Sequence, residues 1–219
     1  MITLNKISMF ISRSKSLGKL NLLLGIEINI NNNFISLSHS HYIDFLLDKY
    51  GLTDANPVST PMDPNVKFDI TTESDEEQSV AKKNLKITHG YAQLIGSLVY
   101  LTLASHPDIS YVVNRLAQFT SNPKSVHWTA IKKIFRYLKY MKNANLTYGG
   151  NDAKIKNTEL NFFCDADWGN GLNWKSISGY VTIIARGAVA WSLKKQQTIA
   201  LSTAEAEYIA ATHVTKQVL

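Results

Sequence analysis

Leu160 to Gly169 reads LNFFCDADWG. On a period-two strand Leu160, Phe162 and Cys164 share one side, and Asn161, Phe163 and Asp165 share the other. Asp167 continues the face of Asp165, so two carboxylates close an apolar run at a strand end. Taken alone, such a pair does no more than solvate the following loop, Ala166 to Lys175. Downstream the pattern stays strand-like, over Ser178 to Ala185 and Ala188 to Ser192. Arg186-Gly187 is expected as a tight turn between them, making the two strands antiparallel. A helix then begins at Ser202 and runs to the C-terminus, LSTAEAEYIAATHVTKQVL from Leu201.

The two glutamates of that helix have different expected roles. Ser202 followed by Glu205 is a capping box, with Glu205 reaching back to the Ser202 backbone N–H. Glu207 is expected among Thr203, Ala204, Ala210, Ala211, Val214 and Val218, on a face of small apolar residues. A carboxylate on a buried face is costly unless it is paired or holds a cation. A salt bridge to Lys194 or Lys195 is one way to satisfy it. A divalent metal shared with Asp165 is another, since hard carboxylate oxygens suit Mg²⁺.

Upstream, Ile26, Ile28 and Ile30 alternate with Glu27 and Asn29, and Asn31 to Asn33 supply a turn into a returning strand, Phe34 to Ser38. A helix over about Tyr42 to Tyr50 carries Ile43, Leu46 and Leu47 on one face and stops at Gly51. Thr53 to about Gln78 reads as an extended connection, with Pro57, Pro61 and Pro64 and the acid run Asp75 to Glu77. Three helices follow. The first spans about Thr88 to Ala104, the second starts at Pro107 with Asp108 in its first turn, and the third runs from near Pro123 to Lys142. Ile131, Ile134, Phe135, Leu138 and Met141 line the apolar face of the third.

The chain has 219 residues, 45% hydrophobic and 18% charged, which is a globular composition. Its single cysteine, Cys164, excludes an internal disulfide framework. No apolar run is long enough to span a bilayer, and the N-terminus lacks a signal-peptide pattern, so an intracellular chain with no membrane partner is expected. Net charge is +6. Between Ile109 and Asn151 there are seven Lys or Arg and no Asp or Glu. Lys132, Lys133, Arg136, Lys139 and Lys142 lie around the third helix. They form either a solvated helix face or a phosphate rail for nucleic acid.

Several motifs stand together in order: DADWG at Asp165 to Gly169, KSISGY at Lys175 to Tyr180, AWSLKKQ at Ala190 to Gln196 and LSTAEAEY at Leu201 to Tyr208. They resemble the RNase H domain of copia-type retrotransposon Pol polyproteins. LGIEI at Leu24 to Ile28, PVSTPMDPN, LIGSLVYLTLASHPDISYVVNRLAQF and HWTAIKKIFRYLK extend the resemblance over nearly the whole chain. Ser105-His106, Asn173-Trp174 and Ile177 depart from the usual pattern.

The resemblance implies an α+β chain in four parts. Residues 1–66 would be the end of the reverse transcriptase palm, a hairpin and a helix, and residues 67–87 a linker. Residues 88–143 would be a helical connection. Residues 144–219 would be the first half of an RNase H-like mixed sheet with one helix. It further implies that Asp165 and Glu207 are catalytic and metal-binding positions for Mg²⁺, with RNA–DNA hybrid or DNA as partner. The family's YxDD motif and two further Asp ligands are not in the sequence. The expectation is therefore a catalytically incomplete stretch of Pol that the remainder of a polyprotein would complete. Non-sequence-specific nucleic-acid binding by the basic helices of residues 107–142 is the alternative.

Overall fold

The computed structural model describes residues 20–66, 68, 85–150, 159–169 and 174–218. Among them are two antiparallel sheets and five α-helices. The first sheet holds β1 (Leu22–Leu23), β2 (Ile26–Ile30), β3 (Phe34–Ser38) and β4 (Leu146–Gly149) in that order. The second holds β5 (Asn161–Asp167), β6 (Ile177–Ile184) and β7 (Gly187–Lys195). The helices are α1 (Ser40–Lys49), α2 (Leu85–Ala104), α3 (Ser110–Ala117), α4 (Ser125–Met141) and α5 (Thr203–Val218). A 3-10 turn, Pro107–Ile109, precedes α3.

The alternation of Ile26, Ile28 and Ile30 produces β2, and its register with β3 pairs Ile28 with Leu37. Glu27 then serves the next element. Its carboxylate accepts from the Ser40 hydroxyl at 3.2 Å and from the His41 backbone N–H at 3.1 Å, meeting the unpaired donors at the start of α1. Gly51, with φ of 64°, ends α1 in the left-handed conformation that glycine adopts freely.

One apolar core joins α1 to the helices after it. Ile43, Leu46 and Leu47 pack with Leu98 and Leu101 of α2, Val112 and Leu116 of α3, and Ile134 and Leu138 of α4. The packing runs across the expected boundaries at residues 66 and 88. It also runs across residue 144, because β4 pairs with β3. The stretch expected as an extended connection is partly pinned. Val58 donates its backbone N–H to Arg136 O, while Val58, Met62 and Val66 pack on the core and Phe68 is buried. The acid run Asp75 to Glu77 lies outside the described residues.

Three expectations are corrected. The second sheet is antiparallel rather than mixed, because short connections join its consecutive strands, and a parallel partner needs a long crossover. The helix expected from Pro107 opens as the 3-10 turn and becomes α-helical only at Ser110. The turn between β6 and β7 is Ala185-Arg186, with φ of 48° and 71°, and Gly187 is already strand, opposite Ile184. Gly187 serves a different need. A Cβ there would come within 2.4 Å of the Tyr148 ring. Tyr148 donates its hydroxyl to Ala188 O at 2.7 Å, so this close approach ties the two sheets together.

Candidate functional site

The β5–β6 register places Asp165 opposite Gly179, and β7 places Leu193 opposite Gly179 in turn. Phe163, Asp165 and Asp167 therefore share the face of β5 that looks toward the 3-10 turn and α3. A cleft of about 510 Å³ lies there, walled by Pro107, Tyr111, Phe163, Asp165, Val181 and Leu193. Asp165 is exposed, and its Oδ1 accepts from the Ala166 backbone N–H at 2.9 Å. Asp167 accepts from the Tyr111 hydroxyl at 3.3 Å. Burial and the charge of Asp167 raise the Tyr111 pKa, keeping the phenol protonated as donor.

The start of α5 is built close to expectation. Ser202 Oγ accepts from the Glu205 backbone N–H at 3.2 Å. The Glu205 carboxylate reaches one residue further than a standard box, to the Leu201 N–H at 2.7 Å. Glu205 is thus a cap.

Glu207 differs from expectation: it is exposed. The buried seam of α5 is Ala206, Ala210 and Val214. A helix turns about 100° per residue, so centring the seam on Ala206 moves Glu207 to its shoulder. The buried Gln196 sets that centre. Its Nε2 donates to Ala206 O at 2.9 Å and to Ser178 Oγ at 2.8 Å. Ser178 lies on the sheet face opposite to that of Asp165. An exposed Glu207 carries no burial penalty for a cation to offset, and only its place in the motif marks it as a candidate.

Mg²⁺ would find oxygen donors of the right chemistry in Asp165 and Glu207, but too few of them. Among the described residues no group of three or more His, Cys, Asp or Glu side chains is placed to hold a metal ion. The described donor set does not fit a resident metal.

The basic stripe is largely engaged within the chain. Arg136 Nε donates to Asn56 O at 2.6 Å. Lys139 Nζ donates to Thr53 O at 2.6 Å and Ala55 O at 3.0 Å. Lys142 pairs with Asp44 at 2.5 Å. These three cations hold the segment after α1, and α1 itself, against α4. Lys132 is exposed and Lys133 half-buried. Trp128 and Tyr137 of this helix are packing residues, as their helical spacing suggests, whereas Tyr140 is exposed. Trp128 meets Tyr91 edge-on, and the buried Tyr137 donates its hydroxyl to Asp108 at 2.7 Å.

Sequence reasoning missed a buried polar network between β3, the end of α2 and the 3-10 turn. His39 Nδ1 is 2.6 Å from Ser105 Oγ, and its Nε2 is 3.1 Å from Tyr100 Oη. His106 Nδ1 lies 3.3 Å from Asp108 Oδ1, and Asp108 also holds Tyr137. Burial, reinforced by nearby His106 and opposed by Glu27, lowers the His39 pKa to about 4. Desolvation pushes Asp108 upward, yet hydrogen bonds from His106 and Tyr137 bring its pKa below the ordinary carboxylate value. The only signal in the sequence was Ser105-His106 standing where the family pattern differs.

No family model matches this sequence, and no solved structure matches it. Curated proteins do. The chain is 35% identical over 211 residues to the retrovirus-related Pol polyprotein from transposon TNT 1-94 of Nicotiana tabacum, covering 94% of this chain and 15% of that protein. It is 30% identical over 195 residues to an uncharacterized mitochondrial protein of Arabidopsis thaliana, covering 89% of this chain and 75% of that one. It is 37% identical over 128 residues to the secreted RxLR effector protein 161 of Plasmopara viticola, covering 58% and 87%. The class these matches define is that of proteins related to transposon Pol polyproteins. Within it, the chain is related to copia-type retrotransposon Pol polyproteins. It spans about 15% of the length of the tobacco polyprotein. No helix among the described residues is long and apolar enough to cross a membrane.

Proposed function

We propose that β5 to α5 is the opening part of an RNase H-type module. In this reading the segments before it are the end of a reverse transcriptase palm and its helical connection. The observation that carries it is the order of elements around two motif carboxylates. Three antiparallel strands are followed by a helix, with Asp165 on the first strand and Glu207 in the first turns of the helix. The partner of this lineage is an RNA–DNA hybrid, and Mg²⁺ is its metal. Two exposed carboxylates, one on the β5 face toward α3 and one on a helix packed against the other face, make a poor site for an ion that needs a full oxygen shell. The chain on its own is therefore expected to bind Mg²⁺ poorly and to leave a hybrid uncut. The test is incubation of the purified chain with an RNA–DNA hybrid and Mg²⁺. Cleavage that disappears in Asp165→Asn would overturn catalytic incompleteness.

A second reading, nucleic-acid binding without sequence preference, rests on the one-signed charge from Ile109 to Asn151. Five free cations would give a slope of about −4.5 in log affinity against log salt, whereas Lys132 and Lys133 alone give about −2. The pairing of Arg136, Lys139 and Lys142 predicts the shallower slope. A titration of fluorescent duplex at several salt concentrations measures it, and a steep slope would show that those three leave their partners to bind phosphate.

A further inference from the structure

We propose that the cleft between α3 and the second sheet binds a small organic cation, an aromatic body carrying one protonated amine. The body lies over Gly179 and the ammonium meets Asp165.

The floor of the cleft is two rows of residues running across the sheet. One row is Phe163, Val181 and Trp191, and the other is Asp165, Gly179 and Leu193. Gly179 contributes no side chain, so a trough opens between Asp165 and Leu193. Neighbouring strands lie about 4.8 Å apart, which makes the trough roughly 10 Å across.

A glycine inside a central strand weakens it, and it usually marks a bulge, a special backbone conformation or a close approach by another group. The bulge of this sheet lies at Thr182 and Ile183, not at Gly179. The φ of Gly179 is not positive. No other segment crowds it either: a Cβ there would make an ordinary contact, 3.5 Å from Leu193 Cδ1. What the missing side chain leaves is room in the cleft.

The walls say which ligand takes that room. A volume of about 510 Å³ suits a small molecule. The lining holds two carboxylates, Asp108 and Asp165, and no Lys, Arg or His. Asp108 is already matched by His106 and Tyr137. Asp165 is not: the Ala166 N–H reaches its Oδ1, and no described residue donates to its Oδ2. A phosphate or carboxylate ligand would meet these acids with no cation in the lining to offset them. An amine would find an open acceptor beside Tyr111, Phe163 and Trp191, and aromatic rings attract cations as well as apolar surface. The inference rests on the cleft alone and needs neither Mg²⁺ nor a hybrid.

The experiment is calorimetric titration of the full chain, without metal, with three probes of one size: phenethylammonium, neutral phenethyl alcohol and the anion hydrocinnamate. Phenethylammonium should bind about tenfold tighter than the alcohol, as a hydrogen bond between charged partners allows. Hydrocinnamate should bind more weakly than either. Asp165→Asn should bring the cation and the alcohol to similar affinity, and its exposed position leaves the fold intact. Gly179→Val should fill the trough and weaken both about tenfold or more. It should melt no lower than the parent, because valine suits a strand better than glycine. No binding of phenethylammonium at millimolar concentration overturns the proposal. So does a cation preference that survives Asp165→Asn, binding unmoved by Gly179→Val, or tighter binding of hydrocinnamate.

Discussion

Ala206 is wholly buried and Glu207, the next residue, is exposed. Periodicity gave the correct helix but centred its buried stripe one position late, because Gln196 reaches in from beyond β7 to fix the rotation. No local pattern carries that information. His39 is a similar case: its partners Ser105 and Tyr100 are more than sixty positions away in sequence. Its chemistry makes a testable statement about acid. In the unfolded chain the imidazole takes a proton near its ordinary value of 6.5, whereas in the fold it does so only near 4. Stability from the neutral imidazole is therefore complete above about pH 7, declines as pH falls through the window to 4, and is flat below it. The loss should reach up to about 3 kcal/mol. Urea unfolding at a series of pH values checks this, and His39→Asn should flatten the curve across that window.

At the scale of elements, the strands and amphipathic helices were legible because their periods are local. Val112, Leu116, Ile134 and Leu138 are buried as their spacing requires. The pairing of β3 with β4 was not legible, since more than a hundred residues separate Phe34 from Gly149. The β6–β7 turn was misplaced for a physical reason. Glycine tolerates positive φ and so suits a turn, but a packing constraint at Gly187 outweighs that preference. Ala185 consequently adopts a left-handed conformation that costs an L-residue roughly 1–2 kcal/mol. Ala185→Gly should therefore stabilise the chain by up to about 1 kcal/mol, part of the relief being offset by the greater freedom of glycine when unfolded. A rise in melting temperature would bear this out, and a fall would show that Ala185 is not strained.

In the whole molecule, the candidate carboxylates sit on the smaller of two packed units. Three strands and α5 offer few buried side chains, chiefly Ile177, Ala206, Ala210 and Val214. The rest of their support is borrowed. Trp191 donates to Thr102 O at 2.5 Å, Asn114 donates to Leu193 O at 3.4 Å, and Tyr148 holds Ala188 O. A piece made of residues 145–219 keeps Tyr148 but loses the α2 and α3 contacts. It should not fold cooperatively, and a single sharp thermal transition for that piece would refute this.

The junction at the end of β4 has a further consequence. Gly149 donates its amide to Ala185 O in the β6–β7 turn of the second sheet at 2.8 Å, and Gly150 donates to Asn33 O beside the first at 3.0 Å. Two consecutive amide protons thus answer to different halves of the molecule. Hydrogen–deuterium exchange resolved at these two glycines is a built-in clock. If the halves separate before either unfolds, Gly149 exchanges ahead of Gly150; if they melt as one unit, the two exchange together.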